Sequence, residues 1–340
     1  MDIKEFHFDL PESLIAQEPL SKRSDSRLLV LNKTDGSFFD EKFSNLFKYL
    51  KAGDVIVRNN TKVLPARLFG VKAETNALVE VLLLKQVETG WECLVGNARV
   101  VKKDTVVSFG DGKLKARCLE VLEHGRRVFE MEYQGIFLNV LEELGEMPLP
   151  PYIKKQLQDN DRYQTIYAKN LGSSAAPTAG LHFTEQIFQD LKKQGIKIID
   201  LTLHVGLGTF KPIKTSDITS HKMHGEYYQL DGNSATILNE ARANNSRIIA
   251  IGTTTTRALE TIYQKYRRFQ ADSGITEIFI YPGIKIEAIN GLLTNFHLPN
   301  STLILMVSAF ASKDYILRAY QYAINEKYRF FSFGDAMLII

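Results

Sequence analysis

The sequence predicts a mixed α/β protein: a large α/β domain with a small antiparallel β-barrel domain inserted near the N-terminus. Three observations carry this expectation. The C-terminal half alternates helix-period and strand-type segments. Over 63–133 the texture changes to short β-type runs separated by tight-turn signals. The run Pro148-Leu149-Pro150-Pro151 then marks an exit, because proline cannot continue a helix and stiffens a linker. The expected division is a discontinuous α/β domain over 1–62 and 150–340, and an inserted barrel over 63–149.

Taken in order, Phe43, Leu46, Phe47 and Leu50 recur at helical spacing, with Gly53 where a C-terminal cap would stand. Residues 54–58 read as a short strand ending in the polar turn Asn59-Asn60-Thr61-Lys62. Within the barrel stretch, 78–86, 91–95, 106–109, 114–121 and 127–133 are β-type runs. Glu88-Thr89-Gly90, Gly110-Asp111-Gly112 and His124-Gly125 supply the turns between them. Ile136, Phe137, Val140, Leu141 and Leu144 predict a closing helix that stops at Gly145. Thr184 is the expected N-cap of a helix with Ile187, Phe188 and Leu191 inward and Gly195 past its end. Strands are expected at 196–203, 247–251, 275–281 and 303–309, and helices at 233–243, 255–266 and 315–326.

At 340 residues the chain holds one large domain or two ordinary ones, and its 44% hydrophobic content is that of a globular protein. A net charge of +3 sets up no whole-chain field for nucleic acid and leaves only local basic surface for that task. Cys93 and Cys118 lie in the strand-rich stretch without metal-type spacing and read as buried, reduced thiols. Neither a signal peptide nor a run of membrane-spanning length is present, so a cytoplasmic protein is expected.

Chemistry concentrates in the C-terminal half, which holds five of the seven histidines. Ser173-Ser174-Ala175-Ala176-Pro177-Thr178-Ala179-Gly180-Leu181-His182-Phe183 and Leu201-Thr202-Leu203-His204-Val205-Gly206-Leu207-Gly208-Thr209-Phe210 each set a histidine beside backbone that a ligand can approach. After a strand, Gly206, Gly208 and Thr209 have the makings of an anion cradle, or of a plain tight turn. Gly252-Thr253-Thr254-Thr255-Thr256-Arg257 opens a helix, where backbone N–H groups and hydroxyls suit a carboxylate or phosphate and Arg257 adds a clamp. The bland reading is a capped helix with an exposed arginine. His221 and His224, with Glu226 behind them, have the residue types of a zinc site, but Lys222 between them opposes a cation, and no metal is expected. Leu293-Thr294-Asn295-Phe296-His297-Leu298-Pro299 completes the set. Three histidines in such contexts predict at least one acid or base. On the barrel, Lys113, Lys115 and Arg117 share a strand face, a phosphate stripe or simply a solvated face.

Together these segments resemble one family, the S-adenosylmethionine:tRNA ribosyltransferase-isomerases of queuosine biosynthesis. The resemblance runs nearly end to end. It takes in Leu14-Ile15-Ala16-Gln17, Ser26-Arg27-Leu28-Leu29-Val30, Asn59-Asn60-Thr61-Lys62-Val63-Leu64-Pro65-Ala66-Arg67-Leu68 and Pro148-Leu149-Pro150-Pro151-Tyr152-Ile153. It continues through Asp161-Arg162-Tyr163-Gln164-Thr165 and the histidine segments to Tyr328-Arg329-Phe330-Phe331-Ser332-Phe333-Gly334-Asp335-Ala336-Met337. The chain departs from the family pattern at Gly96-Asn97-Ala98-Arg99-Val100-Val101, at Asn290 and at Asn300.

The resemblance implies transfer and isomerisation of the ribosyl moiety of S-adenosylmethionine onto 7-aminomethyl-7-deazaguanine in tRNA. The products are epoxyqueuosine-tRNA, adenine and methionine. It implies an α/β domain interrupted by a small barrel, and S-adenosylmethionine as a consumed co-substrate with no bound cofactor. For catalysis the leading candidates are His182 and His297, with His204 and His224 behind them, Glu226 to answer the sulfonium charge and Asp335 for the amine or ribose hydroxyls. Thr178, Gly180, Gly206, Gly208, Thr209, Thr254, Thr255, Arg257 and Asn295 are the expected substrate-binding residues. The expected tRNA-facing surface comprises Arg58, Lys62, Arg67, Lys113, Lys115 and Arg117, with Tyr152 and Tyr163 as stacking candidates. A monomer that binds no membrane is expected. Two other readings stay open: a zinc-dependent hydrolase built on His221, His224 and Glu226, and a non-catalytic RNA-binding protein built on the barrel.

Overall fold

The computed structural model describes residues 1–206 and 217–340. By contacts it divides into two compact units: Met1–Lys62 with Pro151–Asn170 and Ala176–Ile340, and Val63–Pro150 with Leu171–Ala175.

Along the chain come β1 (Arg27–Leu31), β2 (Phe38–Lys42), a 3-10 helix (Phe43–Tyr49), β3 (Val55–Asn59) and the short β4 (Thr61–Val63). The 3-10 turn buries Phe43 and Leu46, while Phe47, expected inward, is exposed, because three residues per turn move it off the inner face.

The second unit contains β5 (Arg67–Lys72), β6 (Leu78–Val87), β7 (Gly90–Gly96), β8 (Val106–Phe109), β9 (Leu114–Val121) and β10 (Arg126–Tyr133). These close into a barrel in the order β10-β7-β6-β5-β8-β9. Inward positions such as Val79, Val81, Val107, Leu114, Ala116 and Phe129 are buried, as the alternation of a half-buried strand requires. Cys93 and Cys118 are buried free thiols in this barrel. The helix α1 (Phe137–Leu144) follows and ends at Gly145, as its spacing predicts.

The chain returns through β11 (Asn170–Ser173) to α2 (Glu185–Lys193), β12 (Lys197–Leu203), β13 (Glu226–Leu230), α3 (Gly232–Ala243), β14 (Ile248–Ile251), α4 (Thr253–Tyr266) and β15 (Asp272–Thr276). Then come β16 (Gly291–Asn295), α5 (Thr302–Ala311), α6 (Lys313–Asn325) and β17 (Ala336–Ile339). Thr184 caps α2, its Oγ1 accepting from Ile187 N at 3.3 Å, and Gly195 past the helix end has φ +82°.

The stretch expected as a strand at 303–309 is the helix α5. Its residues are apolar on every side, a pattern that periodicity cannot separate from a buried strand. Ser301 decides the matter locally, since its Oγ accepts from Ile304 N at 3.3 Å. The strand expected at 275–281 stops at Thr276.

Among the described residues, nine strands form one sheet in the order β15-β13-β12-β3-β14-β16-β17-β1-β2. The neighbours β12-β3, β3-β14 and β14-β16 are parallel. They read as near-continuous apolar runs because they are covered on both faces. On one side Ile56, Ile249, Leu293, Phe183, Phe188 and Leu191 share a core. Each such side chain contributes roughly 1.5–3 kcal/mol by leaving water. No helix among the described residues is long and apolar enough to cross a membrane.

Candidate active site

Parallel strands point the same way, so β12, β3, β14 and β16 deliver their C-terminal ends to one edge of the sheet, where open α/β sheets bind ligands. The polar segments singled out in the sequence are those ends: Asn59 on β3, His204 to Gly206 after β12, Gly252 to Thr254 after β14, and Asn295 to His297 at the end of β16. Asn59 pins two of them. Its Nδ2 donates to Leu203 O at 2.8 Å, and its Oδ1 accepts from Leu203 N at 2.9 Å and Thr61 N at 3.1 Å.

A cleft opens here, with about 550 Å³ of empty space that includes open solvent. Its lining includes Tyr152, Thr178, Val205, Gly252, Thr253, Thr254, Thr294, Asn295, His297, Phe331 and Ser332, and among the described residues no Asp, Glu, Lys or Arg belongs to it. Polarity comes instead from hydroxyls, one amide, one imidazole and the start of α4.

That start is a sharp strand-to-helix turn. Gly252 has φ +87°, where a side chain would strain the backbone. As N-cap it supplies no side chain to the first-turn amides of α4, which leaves a partial positive charge at the cavity wall. Thr254 lines this wall. Thr255, also expected there, is fully buried, and its Oγ1 donates to Ile251 O at 2.6 Å.

His297 lines the cavity and is buried. Its backbone N donates to Tyr320 Oη at 3.0 Å, and its Nε2 lies 2.9 Å from Thr294 Oγ1. Burial pushes it down to about 3, so the ring is neutral near pH 7. His182 is equally buried but lines a separate cavity of about 290 Å³ with Ser26, Arg23 and Arg162. Burial first, then the Arg329 and Arg23 charges, push it also to about 3. Its ring nitrogens face Ser26 Oγ at 2.6 Å and Asn295 Nδ2 at 3.2 Å.

The remaining candidates are structurally engaged. His204 stacks on Tyr227 and sets Nδ1 2.8 Å from Thr61 Oγ1, and burial lowers its pKa. Glu226 is buried against Arg257, and also takes Gly206 N at 2.9 Å and His224 Nε2 at 3.1 Å. Burial raises the Glu226 carboxyl, but the His224 hydrogen bond and the Arg257 charge outweigh it and hold it below the ordinary value. Arg257 is thus not the exposed arginine of the bland reading; it is buried and paired with Glu226. It lines a neighbouring cavity of about 310 Å³ with Met223, Phe279 and Met306.

Asp335, expected at the substrate, instead accepts from Arg27 N at 2.9 Å and Arg329 N at 2.8 Å and holds the turn before β17. Gly180 serves packing, since a Cβ there would meet Tyr167 Oη at 2.0 Å. Gly208 and Thr209 lie outside the described residues. His221 packs edge-on against Phe279, and among the described residues no group of three or more His, Cys, Asp or Glu side chains is placed to hold a metal ion.

Several residues of the expected tRNA surface are similarly engaged. Arg58 bonds Asp200 at 2.6 Å and lies over the Tyr167 and Phe188 rings. Arg67 pairs with Glu80 at 3.4 Å, and Lys113 pairs with Glu143. Lys115 and Arg117 are exposed on one face as expected, but stand opposite Glu132 and Glu130 on β10. Such cross-strand partners interact directly and cut the net charge of the stripe. Lys62 is exposed and makes no ion pair among the described residues. Of the stacking candidates, Tyr152 lines the cavity, and Tyr163 is wholly buried.

Sequence reasoning did not single out Asn59, Thr253, Thr294, Ser332 and Ser26 individually, although Thr253 and Thr294 lie in segments it marked as site. The first three carried a signal, a polar residue at the end of an apolar parallel strand or just beyond it. Ser26 carried none, being 156 positions from its partner.

With this geometry in view, the comparisons with known proteins are decisive. The family described as queuosine biosynthesis protein matches residues 3–339. The chain belongs to that family. It is an enzyme of queuosine biosynthesis, a ribosyltransferase-isomerase. It is 54% identical to the S-adenosylmethionine:tRNA ribosyltransferase-isomerases of Macrococcus caseolyticus, over 339 residues, and Staphylococcus saprophyticus, over 341, with all of each chain covered. It is also similar to the crystal structure of S-adenosylmethionine tRNA ribosyltransferase from Thermotoga maritima. That match has 36% identity and a TM-score of 0.58, covering 99% of this chain and 100% of the other.

Proposed function

We propose that this enzyme moves the ribosyl moiety of S-adenosylmethionine onto 7-aminomethyl-7-deazaguanine in tRNA, yielding epoxyqueuosine-tRNA, adenine and methionine. The observation that carries the assignment to this cavity is the meeting of the uncapped α4 N-terminus with buried, neutral His297 in a wall whose described residues carry no formal charge. The α4 amides and Thr254 receive the methionine carboxylate. The sulfonium acidifies the C5′ protons, and His297 takes one. The resulting ylide expels adenine and opens the sugar, with the proton returned to the departing base. The substrate amine then adds, and a ribose oxygen closes the epoxide as methionine leaves. Thr178 and Asn295 contact substrate, Tyr152 stacks on the modified base, and Lys62, Lys115 and Arg117 meet tRNA phosphates. His204, His224 and Glu226 shape the strand ends beside the site. S-adenosylmethionine is consumed rather than held as a cofactor, and the chain works in the cytoplasm as a monomer.

The direct test incubates the pure protein with S-adenosylmethionine and tRNA carrying the deazaguanine precursor. Adenine release with the matching nucleoside mass gain is expected. Folded, tRNA-bound protein that forms neither product would remove the reading and favour RNA binding alone.

A further inference from the structure

One order of protons satisfies every hydrogen-bonding contact around His182. Ser26 Oγ donates to Arg23 O at 3.0 Å, and a carbonyl can only accept. With the single hydroxyl proton of Ser26 on that carbonyl, the 2.6 Å contact with His182 Nδ1 carries the proton of the histidine. A neutral imidazole protonated at Nδ1 has a bare Nε2. Asn295 must then turn its Nδ2 toward His182, at 3.2 Å, and its Oδ1 the other way. That Oδ1 accepts from Thr178 Oγ1 at 2.9 Å. The Thr178 proton is thereby engaged as well, and what Thr178 turns to the main cavity is oxygen lone pairs.

We propose that His182 is a positioning residue whose tautomer, set by Ser26, orients the Asn295 amide so that Thr178 is an acceptor-only subsite for a substrate amine N–H. The reverse order of protons would leave the Arg23 carbonyl without its donor and make Thr178 a donor. Protonation of His182 would break the chain at Asn295, because Nε2–H and Nδ2–H cannot bond each other. The surroundings oppose protonation: the ring is buried, lies against Phe43 at 5.0 Å, and has Arg23 and Arg329 as its charged neighbours. Two amines of the reaction proposed above suit the subsite, the exocyclic amine of adenine and the aminomethyl group of the tRNA base.

The test uses the full chain with ring-¹⁵N histidine. The resonances lost in H182Q identify His182. They should show a protonated Nδ1 and a bare Nε2 that do not titrate between pH 8 and 5.5. A proton on Nε2, or an imidazolium in that range, would overturn the proposal. Kinetically, S26A alters a residue outside the main cavity. It should lower kcat/KM on the order of three- to ten-fold, the worth of one neutral hydrogen bond, and leave the shape of the pH profile unchanged. A histidine-range limb in the wild type that disappears in S26A would mean that His182 exchanges protons in turnover. Should S26A fail to fold, the wild-type spectrum decides alone. T178V should weaken substrate capture by a similar factor. With an S-adenosylmethionine analogue bearing oxygen in place of the adenine amine, the T178V defect vanishes if that amine is the donor and persists if the aminomethyl group is. No T178V defect with either substrate would refute the subsite. The spectroscopic arm needs no substrate, so failure of the wild type to release adenine would count against the reaction and not against the tautomer.

Discussion

Replacing Glu226 with Gln removes the negative charge that buried Arg257 faces. Both side chains are nearly inaccessible, at 2% residue exposure each, so water cannot screen the orphaned guanidinium. Breaking a buried pair from one side typically costs about 3–5 kcal/mol. For a unit of this size, that predicts a melting temperature lower by roughly 6–20 °C. Removing both partners is milder, since no uncompensated charge remains. E226Q/R257M should therefore lose less than the sum of E226Q and R257M, with a coupling of at least about 1 kcal/mol. The sign with pH follows from the lowered carboxyl. Its contribution is present above the unfolded value of about 4.3 and is lost as pH falls through the depressed folded value. Wild type and E226Q should converge in acid. The assay is urea unfolding followed by circular dichroism at pH 7 and at a series of pH values below 4. An E226Q protein within about 1 kcal/mol of wild type at pH 7, or strict additivity of the two substitutions, would refute the reasoning.

H297Q should keep the fold and lose roughly 10²–10⁴ in kcat for adenine release; activity within threefold of wild type would remove His297 from the chemistry. His182 and His297, held neutral with values near 3, bind fewer protons folded than unfolded. Stability should accordingly fall as pH drops below about 6.5, by up to about 1.4 kcal/mol per pH unit for each histidine, and H297Q should show a shallower fall in urea midpoint. K62A should lower the salt slope of log KM for tRNA by roughly 0.7–0.9. R58A, by losing Asp200 and its ring contacts, should lower the melting temperature with little change in that slope.

The strands β3, β6 to β10, β12 and β14, the capped helix α2 and the small barrel were legible because each rests on local rules: alternation, a Thr cap at 184, a Gly at 195, turns at 88–90 and 110–112. The site was legible as segments, since glycines, threonines and histidines past apolar strands are poor core material. What could not be read was their assembly. Nothing local says that β3, 138 residues or more upstream, pairs in parallel between β12 and β14, and that pairing is what gathers Asn59, Val205 and Thr254. Helix α5 was misread because a segment buried on all sides has no polar face to reveal its period. The partners of His182 and Asp335 were equally beyond local reading. Residue type and glycine-rich context are alike for a group facing substrate and for one that holds other side chains, as His182 does, or backbone amides, as Asp335 does, and only the partners tell them apart.

No carboxylate stands among the described residues of the cavity wall, and the proposed chemistry uses that. A carboxylate base at the cavity would pair with the sulfonium before reaction, and an attraction present equally in ground and transition states adds nothing to kcat. The carboxylates near the strand ends are held elsewhere, Glu226 by Arg257 and Asp335 by two backbone amides. The base left facing the cavity is neutral and buried, and gains charge only as it takes the proton. Its low proton affinity then favours prompt return of that proton to departing adenine. A single imidazole can thus serve both proton transfers, which predicts that H297Q arrests adenine release itself rather than the later closure of the epoxide. Accumulation of adenine without the epoxide in H297Q would contradict this order and place His297 after the first bond is broken.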